Sequence, residues 1–378
     1  MPFRVTGMDV RDIIAGYDTN SLTVASLGGH VALDASAGAK AQGLRSLVVA
    51  RSDRSGPYEK YLKTDSKNGL GCVDETIIVK EYSDIVHEDI QEVLRSKNAV
   101  LTHSRYFWVY FDFVDVEKKL RVPFFGSREL IRLEERDQKP NQYDVLLAAG
   151  IRIPKIFKSH RDIDRLTLTK VHNATRTFER ENFVASTPAE WEHVAGEKLA
   201  SGAVRQKDLD DAVIEEFILG TQVNFNFFYS PLHNRLELLG TDTRRQTNLD
   251  GWLRLPASEQ LKVPGHPYHI ETGHVAVTVK ESLLPKIYEA GEKFVATCKE
   301  FHPLGIIGPF ALQGAIETDG NSEHIVIFDV SFRTPGSPGI TSTPYSQYLF
   351  GRPVSMGERS AMEIKEAAQN GRLSEILT

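Results

Sequence analysis

Two stretches hold polar side chains where a buried hairpin would hold apolar ones. Gly308-Pro309-Phe310-Ala311-Leu312-Gln313-Gly314 carries one amide, and Ile325-Val326-Ile327-Phe328-Asp329-Val330-Ser331-Phe332-Arg333 carries one carboxylate inside its apolar run. Each reads as a strand. Paired, they aim an amide oxygen and a carboxylate at one point. Mg²⁺ takes hard oxygen ligands and keeps much of its shell as phosphate and water, so Gln313 and Asp329 are the candidate metal ligands, with Mn²⁺ as an alternative ion. Burying two unpaired polar groups in a hairpin costs free energy, which argues against a site where both are merely tolerated. Lys170 ends the stretch Leu166-Thr167-Leu168-Thr169-Lys170 and can meet a phosphate as a point charge. Arg333 can touch a transferred phosphoryl group or pair with Asp329. Arg244 and Arg245 are adjacent on a strand, so they point to opposite faces and only one of them can reach the same phosphate.

The elements that position these groups fall into three sections. In the first, strand and helix alternate. Strands are expected at Leu22 to Leu27, Leu44 to Ala50, Glu75 to Lys80 and Ala99 to Thr102, with helices at Val31 to Gln42 and Asp84 to Ser96. That rhythm implies a parallel sheet covered on both faces. Ligands of such sheets bind at the carboxyl ends of strands, where Gly28-Gly29-His30 and His103-Ser104 fall. The second section, 126–211, opens with a long helical stretch over Glu129 to Gly150, interrupted near Lys139-Pro140. A strand at Ile151 to Pro154 and a small polar lid subdomain follow. The third, 212–378, has alternating strands at Gln222 to Tyr229 and Leu236 to Gly240. It continues with a helix from Lys280 to Lys299, the hairpin, and an amphipathic helix from Glu358 to Asn370.

At 378 residues the chain exceeds one compact core, so the sections are expected as domains: 1–125, 126–211 and 212–378. Hydrophobic residues make up 41% and charged residues 25%, the balance of an ordinary globular protein. The net charge of −6 and the absence of a basic tract speak against nucleic acid as a partner. No apolar run is long enough to cross a bilayer, and Met1-Pro2-Phe3-Arg4-Val5-Thr6 does not begin a signal peptide, so no membrane partner is expected. The two cysteines, Cys72 and Cys298, form no metal motif and no disulfide framework, as suits a reducing cytoplasm.

In order along almost the whole chain, several stretches resemble the formate-dependent 5-formaminoimidazole-4-carboxamide ribonucleotide synthetases (PurP) of archaeal purine biosynthesis, in the ATP-grasp superfamily. They include Ser26-Leu27-Gly28-Gly29-His30-Val31-Ala32-Leu33, Val122-Pro123-Phe124-Phe125-Gly126 and Ala149-Gly150-Ile151-Arg152-Ile153-Pro154. Glu216-Phe217-Ile218-Leu219-Gly220, Thr247-Asn248-Leu249-Asp250-Gly251, Glu281-Ser282-Leu283-Leu284 and Ile307-Gly308-Pro309-Phe310 continue the set. The resemblance implies an α/β and α+β architecture, an ATP-grasp fold with an N-terminal parallel α/β domain. It implies a homo-oligomer that uses ATP and formate to formylate the aminoimidazole carboxamide ribonucleotide (AICAR), releasing ADP and phosphate.

Carried over by position, the resemblance assigns AICAR contacts to Gly29, His30, His103, Ser104 and Asn248. It assigns ATP contacts to Lys170, to the hinge residues Glu215, Glu216 and Ile218, and to Arg176. Arg244 and Arg333 are the candidates at the reacting phosphoryl group. Plainer roles exist for several: His30 could cap the following helix, His103 and Ser104 could be loop chemistry, and Asn248 suits a turn. The chain departs from the family pattern in three places. The lid loop Val171 to Arg180 has no glycine, so backbone N–H groups cannot close over phosphates as in a glycine-rich loop, and Arg176 or Arg180 would act instead. Gln313 stands at the position of the family's first metal glutamate, and Asp329 at that of the second. Ser337-Pro338-Gly339 replaces Gly-Thr-Asn. Two other readings therefore stay open: an ATP-grasp ligase for a different acid or amine, or a nucleotide-binding paralogue without ligase activity.

Overall fold

The computed structural model of the chain describes residues 10–171, 181–263 and 269–378. Arg176 and the rest of the lid loop after Val171 lie outside the described residues.

Three sheets organise the molecule. The first is parallel, with β1 (Thr23–Leu27), β2 (Arg45–Arg51), β3 (Glu75–Val79), β4 (Ala99–Thr102) and β5 (Phe124–Phe125) in the order β3-β2-β1-β4-β5. β1 and β4 are buried along their whole length, which is why they read as unbroken apolar runs rather than as alternation. The helical pattern expected over Asp84 to Ser96 divides. A 3₁₀ turn at Tyr82–Val86 is followed by the helix Glu88–Ser96, because His87 between them is extended.

A second, four-stranded sheet has β6 (Ile156–Phe157), β7 (Thr167–Lys170), β8 (Phe183–Ala185) and β9 (Val213–Glu216) in the order β6-β9-β7-β8, all antiparallel. The third holds β10 (Thr221–Ser230), β11 (Arg235–Thr247), β12 (His269–Ala276), β13 (Gly308–Thr318) and β14 (Glu323–Ser331) in the order β12-β11-β10-β13-β14. β10 is central and buried on both faces. Val223, Phe225, Phe227 and Tyr229 join a core with the helix Leu284–Phe301, while Phe228 on the other face joins Leu22, Val24 and the helix Met356–Gln369. Alternation along a strand sends these residues to opposite sides, so one strand ties two cores together.

The expected long helix over Glu129 to Gly150 is not formed. Only a 3₁₀ turn at Ile131–Glu134 and a short helix at Gln142–Ala148 appear. Pro140 lacks the N–H that a continuous helix needs, and Asn141 starts a new one. Asn141 accepts from Tyr143 N at 2.9 Å, and Asp144 accepts from Asn141 N at 2.8 Å. Ile151 to Pro154 likewise forms no strand, and pairing begins at Ile156.

The helix Ala32–Ala41, directly after the Gly28-Gly29-His30 turn, packs against Met356–Gln369 at backbone distance. A Cβ on Gly38 would lie 2.3 Å from the Gly357 carbonyl carbon, and Gly357 N donates to Asp34 Oδ2 at 2.8 Å.

Candidate active site

Register across the third sheet assembles the site. Asp242 is the partner of Asn224, Asn224 of Gln313, and Gln313 of Asp329. These four polar residues form one row across β11, β10, β13 and β14. Side chains opposite one another share a face, so the row places its oxygens and amides side by side. Two residues along β11, and so on the same face, Arg244 is the partner of His274 on β12.

At the β14 end of the row is a closed cluster. Asp329 Oδ1 accepts from Arg136 Nη2 at 2.9 Å, so Asp329 pairs with Arg136 and not with Arg333. Lys170 Nζ lies 2.5 Å from Glu215 Oε1, and it donates to the Phe328 carbonyl at 3.2 Å and to the Tyr143 hydroxyl at 3.4 Å. Tyr143 also donates to Glu215 and accepts from Arg136 at 3.3 Å. Burial, and then the charge of Arg136, push the Lys170 ammonium down to about 8 against the pull of Glu215. The small sheet brings Lys170 and Glu215 to the edge of the large one. Glu216 instead binds Arg165 at 3.1 Å, outside this cluster, and Ile218 is half-buried in the link to β10.

At the β11 end is an open, polar-lined pocket. Among its lining residues are His30, Arg105, Arg244, Glu271, His274, Gln313 and Arg333. Gln313 thus faces the pocket, and its neighbour Asp329 faces the closed cluster. Gln313 Nε2 donates to Ser331 Oγ at 2.8 Å, and its Oε1 accepts from Arg244 Nη2 at 2.5 Å. Arg245 points away, to Asp250, as strand alternation requires. Arg333 is held by Glu134 at 2.7 Å, and Glu134 also accepts from Phe332 N at 3.3 Å. Buried atoms without a hydrogen-bond partner include His30 Nδ1, Arg244 Nε and Arg333 Nε. Burial first, then Arg333 and Arg105, hold the His30 imidazole well below its ordinary value, so it is neutral. A Cβ on Gly336 would stand 2.6 Å from His30 Nε2, so only glycine lets that loop approach. Gly29 has φ +141°, and a Cβ there would meet the Tyr106 hydroxyl at 2.2 Å.

The remaining expected contacts lie elsewhere. His103 is fully buried behind the pocket wall, its Nδ1 3.2 Å from Thr334 Oγ1, and burial pushes it down to about 3. Ser104 accepts from Tyr106 N at 3.3 Å and starts the turn there. Asn248 precedes the short helix Leu249–Trp252, its carbonyl accepting from Gly251 N at 2.9 Å. Neither Ser104 nor Asn248 is among the residues that line the pocket.

The sequence reading missed Asp242, Glu271, His274 and Glu134. Asp242 is fully buried. It accepts from Asn224 at 3.1 Å, from Asn226 at 2.5 Å and from Ser337 at 3.2 Å, and it binds His274 Nδ1. Burial opposes charge on His274, but Asp242 and Glu271 outweigh it and raise the imidazole to about 9. An acid inside the apolar run Leu238-Leu239-Gly240-Thr241-Asp242 is the same signal that marked Asp329.

Gln313 and Asp329 have the donor chemistry for a divalent cation, two hard oxygens on adjacent strands, one of them anionic; Arg244 and Arg136 now hold an oxygen of each, so a cation would have to share or displace those contacts. Among the described residues no group of three or more His, Cys, Asp or Glu could hold a metal by itself. A cation held chiefly through phosphate oxygens and water needs no such group.

A family model described as a domain of unknown function, DUF1297, matches residues 190–378, and one described as a protein of unknown function, DUF1246, matches residues 24–157. The chain is 36% identical over 370 residues to the 5-formaminoimidazole-4-carboxamide-1-(beta)-D-ribofuranosyl 5'-monophosphate synthetase of Methanopyrus kandleri, covering 98% of this chain and 99% of that one. To the synthetase of the same name from Methanothermobacter thermautotrophicus it is 37% identical over 378 residues, with 99% of each chain covered. Among solved structures, the IMP biosynthesis protein PurP from Thermococcus kodakaraensis superposes with a TM-score of 0.70 at 27% identity, over 94% of this chain and all of that one. An ADP complex of PurK, an N5-carboxyaminoimidazole ribonucleotide synthetase, shares the fold at a TM-score of 0.56 and 12% identity, over 89% of this chain and 78% of that one.

Proposed function

The chain belongs to the 5-formaminoimidazole-4-carboxamide ribonucleotide synthetase family and has the ATP-grasp fold, and from that premise we propose how its own residues divide the work. The protein is an ATP-dependent ligase that formylates AICAR in purine biosynthesis. Formate is a poor electrophile. Its oxygen attacks the γ-phosphorus of ATP, ADP departs, and formyl phosphate results. The arylamine of AICAR then attacks the formyl carbon, phosphate leaves, and the nitrogen gives up a proton. The protein has to position three reactants and neutralise phosphate charge, with no nucleophile of its own.

The observation that carries this division is the row through Gln313. On one side Lys170, at the edge of the small sheet, binds ATP phosphates, with Glu215, Glu216 and Ile218 along the hinge that holds the adenosine. On the other, His30 and Gly29 receive AICAR, and Arg244 and Arg333 face the reacting phosphoryl group. Gln313 and Asp329 would hold Mg²⁺, which when bound offsets phosphate charge. The resemblance further supports a homo-oligomer working in a reducing cytoplasm; among the described residues no helix is long and apolar enough to cross a membrane.

Incubation with ATP, formate and AICAR tests the reading. Formylated nucleotide and ADP in equal amounts are expected. ADP released only with a different acid would assign another substrate, and tight nucleotide binding without turnover would make the chain a non-catalytic paralogue.

A further inference from the structure

Glu271, on β12, is the carboxylate among the residues lining the pocket. Its two oxygens face two different cations. Oε2 lies 3.7 Å from Arg244 Nη1, and Oε1 lies 3.7 Å from His274 Nε2. Neither is a direct hydrogen bond, for a charge-assisted contact closes to about 2.8 Å. The two cations, by contrast, are fixed from behind. Arg244 is anchored through Nη2 to Gln313, and His274 through Nδ1 to Asp242. Arg244 and His274 are cross-strand partners, so the sheet itself sets their spacing. Glu271 is held from the pocket side alone: the pull of His274 first, then of Arg244 and Arg105, brings its carboxyl down to about 2, and its side chain is 41% exposed.

We infer that Arg244 and His274 form the seat of the small carboxylate substrate, and that Glu271 is an internal carboxylate occupying that seat until formate displaces it. This rests on the ligase reading above. A free planar carboxylate can approach both cations more closely than one tethered to a strand. The ribonucleotide phosphate is the competing anion for the same chemistry. The position favours formate: Arg244 bridges the seat to Gln313, so an occupant borders the end of the site where the γ-phosphoryl group is transferred. His274 is then a binding residue of the reaction, with Asp242 as its positioning residue.

Two variants test this, Glu271→Gln and His274→Gln. Formate KM is measured at saturating ATP and AICAR, and formate binding is measured by calorimetry in the presence of a non-hydrolysable ATP analogue. Glu271→Gln removes the competitor and should lower formate KM by about fivefold, since an occupied seat weakens apparent affinity by the fraction left free. His274→Gln should raise it at least about tenfold, as loss of one of two close cations does. In both, KM for ATP and AICAR should stay within about twofold of wild type. Glu271 is exposed, so that variant folds whatever His274→Gln does. A formate KM unmoved by Glu271→Gln, or a shift in AICAR KM instead, overturns the seat and gives the pocket to the ribonucleotide phosphate. Wild-type protein that makes no product would refute the ligase reading alone. Calorimetry still decides the seat: tighter formate binding in Glu271→Gln supports it, and equal binding overturns it.

Discussion

The two sides of Gln313 handle charge in opposite ways. In the cluster at β14 each ion has a partner in direct contact: Lys170 with Glu215 at 2.5 Å, and Arg136 with Asp329 at 2.9 Å. In the pocket at β11, Arg105, Arg244, Arg333 and His274 converge; Glu134 and Asp242 hold Arg333 and His274 from behind, Glu271 is the one lining carboxylate among the described residues, and single buried nitrogens of His30, Arg244 and Arg333 lack hydrogen-bond partners. Buried pairs gain little net stability, because desolvation offsets their attraction, but removing one partner costs about 3–5 kcal/mol. The first region is thus self-neutralised, so under the proposed role a phosphate would have to compete with Glu215 for Lys170. The second turns more cations than anions toward its cavity. The contrast fits a reaction in which ATP reorganises one region while small anions fill the other.

The hardest blow to the first region is Asp329→Asn. It removes the anionic metal donor and leaves Arg136 without its carboxylate, so ligation should fall at least about 100-fold. Circular dichroism should report an intact fold. A wild-type rate at limiting Mg²⁺ would take Asp329 out of the metal site.

Lys170→Met is next. ATP affinity should drop by roughly 10- to 100-fold on loss of a charged phosphate contact. The unpaired Glu215 also destabilises the fold, so Lys170→Met with Glu215→Gln should recover thermal stability without recovering ATP binding. The ammonium is depressed to about 8, and its charged form is the one that binds phosphate. Wild-type ATP affinity should therefore weaken as pH rises from 7 to 9, while Lys170→Arg, charged throughout, stays flat over that range. A flat wild-type profile would mean that Lys170 does not carry the phosphate.

The smallest effect sharpens the boundary. Gln313→Glu puts a second carboxylate beside Asp329 but also beside Arg244, which already binds that position at 2.5 Å. Because the new charge is shared with Arg244, Mg²⁺ affinity with ADP present should rise only about two- to fivefold. Isothermal titration that shows no change would remove residue 313 from the metal.

Much of the fold was legible because its strands carry their own signature. β1, β2, β4, β10 and β14 lie within a residue or two of where their apolar runs place them, and β13 starts at Gly308 as expected but runs on to Thr318. The segment from Glu129 to Gly150 misled because its apolar residues keep helical spacing on both sides of Pro140, while capping by Asn141 restarts the chain. In the site, His30, Lys170, Arg244, Gln313 and Arg333 stood out by motif or by position on a strand. Asp242, Glu271, His274 and Glu134 were not singled out: strand register brings Glu271 and His274 to the pocket, and Asp242 and Glu134 act through the lining residues His274 and Arg333. His103, Ser104 and Asn248, named by motif, are not among the residues lining the pocket; His103 is buried against Thr334, and Ser104 supports the turn at Tyr106.

The close crossing of Gly38 and Gly357 bears on modularity. The turn that carries Gly29 and His30 leads straight into the helix Ala32–Ala41, and that helix is seated on a partner more than three hundred positions downstream. The parallel α/β unit at the front of the chain is therefore not a transplantable cassette. Cut from the rest, it would keep its sheet and lose the bracing of the turn at Gly29 and His30. Recombination between relatives would have to exchange both helices together, and a side chain larger than hydrogen at either glycine would misplace a loop that neither glycine touches.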